Sequence, residues 1–147
     1  MKKVLVVLSA IVSLSGATLA QRPAPVVQVY KSPTCGCCAL WVKHMEAAGF
    51  TTKVTEIEDV TPIKTKNGVP ARVQSCHTAI VDGYVLEGHV PAADVRRLLK
   101  ERPAVAGLAV PGMPIGSPGM EVPNVKAQAF NVVSFDKAGQ VQVFASH

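Results

Sequence analysis

Lys31-Ser32-Pro33-Thr34-Cys35-Gly36-Cys37-Cys38 is the stretch on which the reading of this chain turns. Three of its 4 cysteines fall there, and the last, Cys76, is distant in sequence. Ahead of it, Val26-Val27-Gln28-Val29-Tyr30 is β-branched and apolar and reads as a buried strand. Behind it, Cys38, Leu40, Trp41, Met45 and Ala48 recur at helical spacing from Cys37 to Ala48, and Gly49 is placed to stop that helix. Phe50 to Ile57 then alternates like a second strand. A strand, a helix and a strand joined by a right-handed crossover give two parallel strands. The cysteines stand at the first strand-to-helix turn.

Further along, Glu58 to Arg72 reads as a short helix and a loop ending at Gly68-Val69-Pro70. Thr78-Ala79-Ile80-Val81 and Tyr84-Val85-Leu86-Glu87 flank Asp82-Gly83, a strong hairpin signal. Pro91 opens a helix from Ala92 to Lys100, with Val95, Leu98 and Leu99 on one face, and Pro103 ends it. Val110 to Met120 holds too much proline and glycine for regular structure; loops of this length are functional or disordered. Its methionines, Met113 and Met120, and its scarcity of charge argue that it packs against something. Ala129 to Phe135 and Gln140 to Phe144 read as a terminal hairpin around Asp136-Lys137-Ala138-Gly139.

The expected fold is therefore α/β and thioredoxin-like: a βαβ unit plus a ββα unit, with a Met/Pro/Gly-rich loop and a C-terminal β-hairpin. Cys35 and Cys38 form a Cys-x-x-Cys pair where thioredoxins carry theirs, at the amino end of the first helix, whose dipole favours thiolate. Counting back from Gly83 puts Cys76, with His77 as its rival, where a thioredoxin has the proline that faces this pair.

The first 20 residues are read as outside the fold. Met1-Lys2-Lys3 is basic, Val4 to Leu14 is nearly unbroken apolar sequence, and Ser15 to Ala20 is small, with cleavage sites after Ala17 or Ala20. That is the pattern of a secretory signal peptide, too short for a membrane span. The expected division is a leader over 1–20, a metal-binding domain over 21–122, and a hairpin extension of that domain over 123–147. The expected location is the periplasm. The formal charge of +5 is mild, and two of the 15 basic residues, Lys2 and Lys3, lie in the leader. Aromatic residues are 5% of the chain, too few for base-stacking platforms, so no nucleic-acid partner is expected, and no membrane partner after cleavage. Phosphate-cradling glycine loops, nucleophile elbows and zinc-protease helices are absent from the sequence.

Three readings of the cysteines stay open on the residues themselves. Structural stapling is the default for an exported chain with an even cysteine count, yet every pairing of Cys35, Cys37, Cys38 and Cys76 leaves one very short loop, which constrains the unfolded chain little. Thiol–disulfide exchange would use Cys35 as attacking thiolate and Cys38 as resolving partner, the catalytic pair if the protein is redox-active. A metal site would use Cys35, Cys37, Cys38 and Cys76, with Met113, Met120 and His77 as further candidates. Soft sulfur selects Cu(I), zinc or iron–sulfur clusters. Copper ranks above zinc, because thioethers suit Cu(I) and because adjacent Cys37 and Cys38 fit a multinuclear copper cluster better than one tetrahedral zinc shell.

Among the other candidates, Trp41 reads as packing over the sulfurs, Met45 as core and His44 as a surface residue. His89 reads as a structural hydrogen bonder, and Glu121 as either solvated or orienting a site residue.

Four motifs carry a resemblance. Lys31-Ser-Pro-Thr-Cys-Gly-Cys-Cys38 with Trp41, Ser75-Cys-His-Thr-Ala79, Tyr84-Val-Leu-Glu-Gly-His-Val-Pro-Ala92 and Gly112-Met-Pro-Ile-Gly-Ser-Pro-Gly-Met-Glu121 resemble a family of small exported proteins. That family, long a domain of unknown function, includes the CopG-type copper-resistance proteins. The resemblance runs from about Val26 to Val122. It implies a thioredoxin-like fold, a periplasmic location, Cu(I) held by the clustered cysteines, copper ions and periplasmic copper-handling proteins as partners, and a redox role in copper handling.

Overall fold

A computed structural model of the chain describes residues 25–147; the expected leader lies outside the described residues. Strand β1 (Val26–Lys31) leads into helix α1 (Gly36–Ala47), which returns to β2 (Thr51–Glu56). The two strands pair in parallel, with Val26 opposite Thr51 and Lys31 opposite Glu56. On β1, Val27 and Val29 point into the core, as the apolar run requires. β2 departs from its expected half-buried alternation. It is an edge strand of Thr, Lys and Glu, and nearly all of it is exposed.

After β2 come helix α2 (Thr61–Lys66), a single 3-10 turn (Ala71–Val73), and the hairpin of β3 (Thr78–Val81) and β4 (Tyr84–Glu87). Asp82 and Gly83, at φ 48 and 86, make the tight turn with two left-handed residues that a two-residue hairpin prefers. β3 also runs antiparallel to β1. Helix α3 (Ala92–Glu101) ends at Arg102 in a left-handed conformation, just ahead of Pro103. It crosses to β5 (Gly107–Ala109), which lies parallel to β4. The terminal hairpin, β6 (Asn131–Phe135) and β7 (Val141–Ser146), pairs onto β5, so one mixed sheet runs β2-β1-β3-β4-β5-β6-β7 among the described residues. β5 was not expected from the sequence.

The core lies mainly on the sheet face that carries α1 and α3. Val27, Val29, Trp41, Met45, Ala79, Leu86, Val95, Leu98 and Leu108 pack together there. On α1, Cys38, Trp41, Val42 and Met45 are buried at the spacing of one helical face. Leu40, expected on that face, is 51% exposed, because it follows Cys38 by two positions and therefore points away. A smaller cluster of Val69, Val73, Val85, Ala109 and Phe135 covers the opposite face. No helix of the described residues is long and apolar enough to cross a membrane.

Candidate metal centre

The first turn of α1 positions three sulfurs. Cys35 is the residue that precedes the helix, with its own N–H donated to Ser32 O (3.1 Å), so Ser32-Pro33-Thr34 turns the chain sharply out of β1. Cys38 is fully buried one turn later and is joined to Cys35 by a disulfide. Cys37 is a free thiol with its Sγ 3.6 Å from that of Cys35. The segment ahead of β3 supplies the remaining sulfur. Cys76 is also a free, half-buried thiol, and the four Sγ atoms all lie within 4.8 Å of one another. The chain thus brings its distant cysteine back to the cluster.

Two histidines extend the site. His89 Nδ1 is 2.7 Å from Pro118 O, so that nitrogen carries the proton and donates it. Its Nε2 is then a bare acceptor in the neutral ring, and it lies 3.0 Å from Cys76 Sγ. Burial holds His89 below its ordinary value near 6.5, so the neutral ring is the favoured form. Burial pushes the Cys76 thiol up to about 11, and the neighbouring Cys37 adds to this. Both effects agree with the geometry: a Cys76 S–H donating to His89 Nε2.

His77 is fully buried. Its ring centre lies 4.4 Å from that of Trp41 and 5.2 Å from that of His89, and its Nδ1 is 3.5 Å from Cys76 Sγ. Burial, with the electrostatic coupling to His89 and the positive charges of Lys64 and Lys31 behind it, holds His77 well below its ordinary value. Its Nε2 has no partner among the described residues, a rare state for a buried polar atom. Cys76, His77 and His89 themselves form a second group whose ligand atoms lie within 4.8 Å of each other.

The methionine loop meets the site unevenly. Ser117, Pro118 and Gly119 are buried, and Gly119 sits directly on α1, where a Cβ would come 2.7 Å from Cys37 O. The exposed Glu121 orients this segment by accepting the Gly119 N–H at 2.7 Å. Met120, next to it, is half-buried, whereas Met113 is 52% exposed, so the packing expected at Met113 does not occur. Trp41 is buried as expected and donates its indole N–H to Val90 O at 2.9 Å. Met45 is core, as expected. His44 is not a free surface residue. Its Nε2 accepts the Ala92 N–H (3.1 Å), one of the unpaired donors at the start of α3.

His89 is the site residue that sequence reasoning undervalued. The signal was available in the hairpin register. Thr78 pairs with Glu87, and two further steps outward bring Cys76 opposite His89.

In donor chemistry this is the site of a small α/β protein able to hold a soft metal: two free thiols, two further sulfurs that reduction of the disulfide would release, the bare Nε2 of His89 and the ring of His77 beside them. Two solved structures named copper resistance protein CopG, form 2 and form 1, are each 43% identical to this chain. They superpose with TM-scores of 0.80 and 0.79, covering 85% of this chain and 99% and 98% of theirs. The profile of a family described as a protein of unknown function, DUF411, matches residues 73–120. A comparison with curated proteins finds no match. The chain belongs to the family of these copper resistance proteins.

Proposed function

We propose that this protein binds Cu(I) through Cys35, Cys37, Cys38 and Cys76 and contributes to copper resistance. The observation that carries this reading is the convergence of four sulfurs within 4.8 Å in a chain 43% identical to copper resistance proteins. Soft thiolate donors select Cu(I) over harder ions. His89 fits the role of a further ligand, because a histidine that binds metal through one nitrogen usually donates the other N–H to a carbonyl, as His89 does to Pro118. His77 offers its Nδ1, 3.5 Å from Cys76 Sγ, and Met120 stands beside the loop segment that covers α1. The exposed Met113 would reach a metal only through movement of its part of the loop. Zinc ranks below copper on the same donor chemistry.

The fold is read as thioredoxin-like. In support are the order β2-β1-β3-β4, the parallel β1–β2 pair around α1, and the Cys-x-x-Cys pair at the start of that helix. Export to the periplasm is proposed on the basic, apolar and small-residue pattern of the first 20 residues. The site has two covalent states. With the Cys35–Cys38 disulfide closed, Cys37, Cys76 and the histidines are the free donors; two electrons open it and make all four cysteines available. A redox role in copper handling would use that two-electron couple.

Anaerobic reduction followed by Cu(I) titration against a chromophoric chelator tests the proposal. The reduced protein should take up Cu(I), and Cys76→Ser should bind it more weakly. Reduced protein that takes up none would defeat the reading. The disulfide supports a second reading, an exported thiol–disulfide oxidoreductase. Turnover of a disulfide substrate that is lost in Cys35→Ser and kept in Cys76→Ser would favour it. A disulfide-stapled binding module, by contrast, requires two bridges, and the structure holds one bridge and two free thiols.

A further inference from the structure

We propose that Glu87, together with Lys64 and Thr78, is a positioning residue for Cys76: its buried carboxylate holds the turn that brings this thiol to the cysteine helix. The inference rests on the reading of Cys76 as a copper ligand.

Glu87 is fully buried at the end of β4. Its Oε1 accepts the backbone N–H of Ser75 at 2.6 Å and the Lys64 ammonium at 2.5 Å. Its Oε2 accepts the Thr78 hydroxyl at 2.7 Å, and the same hydroxyl accepts from Lys64 at 3.0 Å. The side chains of Glu87, Lys64 and Thr78 close a ring, and the two groups that donate to Glu87 from this segment, the Ser75 N–H and the Thr78 hydroxyl, bracket Cys76 and His77. The next residue continues the grip. Gly88 N–H donates to His77 O at 2.9 Å, and a Cβ on Gly88 would come within 2.6 Å of the Ser75 side chain. His89 then meets Cys76 Sγ. The run Glu87-Gly88-His89 thus holds residues 75–78 residue by residue.

Net stability does not explain a carboxylate here. A buried ion pair is often matched or bettered by apolar residues of the same volume. A leucine at this position, however, could not accept the Ser75 N–H. Ser75 lies outside every helix and strand, so its N–H has no ladder partner. An unpaired buried donor is costly, and the segment would move to find water. The acid therefore defines where the backbone of Cys76 sits, and Lys64 pairs with it from α2.

The test uses the full chain, reduced and metal-free, with iodoacetamide alkylation of each cysteine followed by peptide mass spectrometry. Glu87→Gln and Thr78→Val should alkylate Cys76 about tenfold faster, the factor that one lost charge-assisted hydrogen bond gives in a local opening equilibrium. Cys37 should be unaffected. Phe135→Leu, a core change on the same sheet face, should leave the Cys76 rate unchanged. In a Cu(I) titration, Glu87→Gln should weaken binding about tenfold in the otherwise native chain and not at all in Cys76→Ser, as non-additivity of coupled residues requires. If Glu87→Gln does not fold, Thr78→Val carries both measurements. An unchanged Cys76 rate in the folded variants, an equal rise in Phe135→Leu, or equal weakening in the Cys76→Ser background would overturn the positioning role. A native chain that takes up no Cu(I) would defeat the copper reading instead, and the alkylation rates would still decide the role of Glu87.

Discussion

Replacing Gly119 by alanine should pry the methionine-bearing loop off the cysteine helix. The added Cβ would lie 2.7 Å from Cys37 O and 2.8 Å from Trp41 N, both backbone atoms that cannot turn aside. At φ +86 the backbone is also left-handed, which costs an L residue about 1–2 kcal/mol. Overpacking of this kind adds about 1–3 kcal/mol, for a total of about 2–5 kcal/mol. Gly112, in the same loop, has φ +70 and open space around its missing Cβ, so Gly112→Ala carries the conformational cost alone. At about 4 °C per kcal/mol for a chain of this size, Tm should fall by about 4–8 °C in Gly112→Ala and about 8–20 °C in Gly119→Ala. Thermal unfolding of the reduced, metal-free protein reads the difference. Hydrogen exchange at the amides of residues 117, 119 and 120 should rise in Gly119→Ala only. The tautomer of His89 is a third readout, since Pro118 O is what holds the proton on Nδ1. Equal Tm losses in the two variants would refute the close seating of the loop on α1.

Three further outcomes are expected. The metal-free protein should lose stability as pH falls below about 6.5, because the unfolded chain protonates histidines that the fold keeps neutral. Buried His77 and His89 each contribute a slope of up to about 1.4 kcal/mol per pH unit, and half-exposed His44 less, because solvent screens it. Denaturant titrations between pH 7.5 and 5 measure this, and a flat profile would contradict the buried neutral rings. Copper affinity should rise with pH, since Cys76, with its thiol pushed up to about 11, must lose its proton to bind metal. Each such thiol adds about tenfold per pH unit between pH 7 and 9, and Cys76→Ala should lower the logarithmic slope by one. Trp41→Phe should cost about 1–2 kcal/mol through loss of the indole hydrogen bond to Val90 O, read by denaturant unfolding; an unchanged midpoint would show that this bond adds no net stability.

The elements legible in the sequence are those whose signals are local. β1 has an unbroken β-branched run, α1 a helical stripe closed by Gly49, and the β3–β4 hairpin a two-residue turn that sets its own register. β5 has no such signal. Gly107-Leu108-Ala109 is three residues long, and its strand conformation comes from pairing with β4 on one side and β6 on the other. β2 shows the converse: its alternation is real, but an edge position leaves little for it to bury. Leu40 and Met113 were misjudged for a related reason. Apolar character says that a side chain can be buried, not that a neighbour is there to bury it. The convergence of Cys76 on Cys35 was legible because the hairpin turn lets positions be counted back along β3.

That counting reaches further than the cysteines. Pairing of Thr78 with Glu87 makes the two strand ends a single unit: Ser75 to Thr78 on one side, Glu87 to His89 on the other. One sheet face receives Lys64 and the carboxylate, and the other receives His77 against Trp41. A strand has a period of two, so neighbouring residues serve opposite faces. The left-handed Gly88 (φ 71) ends that period, so Glu87 anchors the backbone from beneath while His89, beyond the strand's end, meets the thiol at the site. Between anchor and ligand stands Gly88, where an added Cβ would fall 2.6 Å from the Ser75 side chain. A side chain at residue 88 would press on Ser75 and on the backbone oxygen of Val110, so one segment or the other would have to shift next to Cys76. Glycine at residue 88 thus serves the same juxtaposition of residues 75–78 with 87–89 that sets Cys76 beside His89.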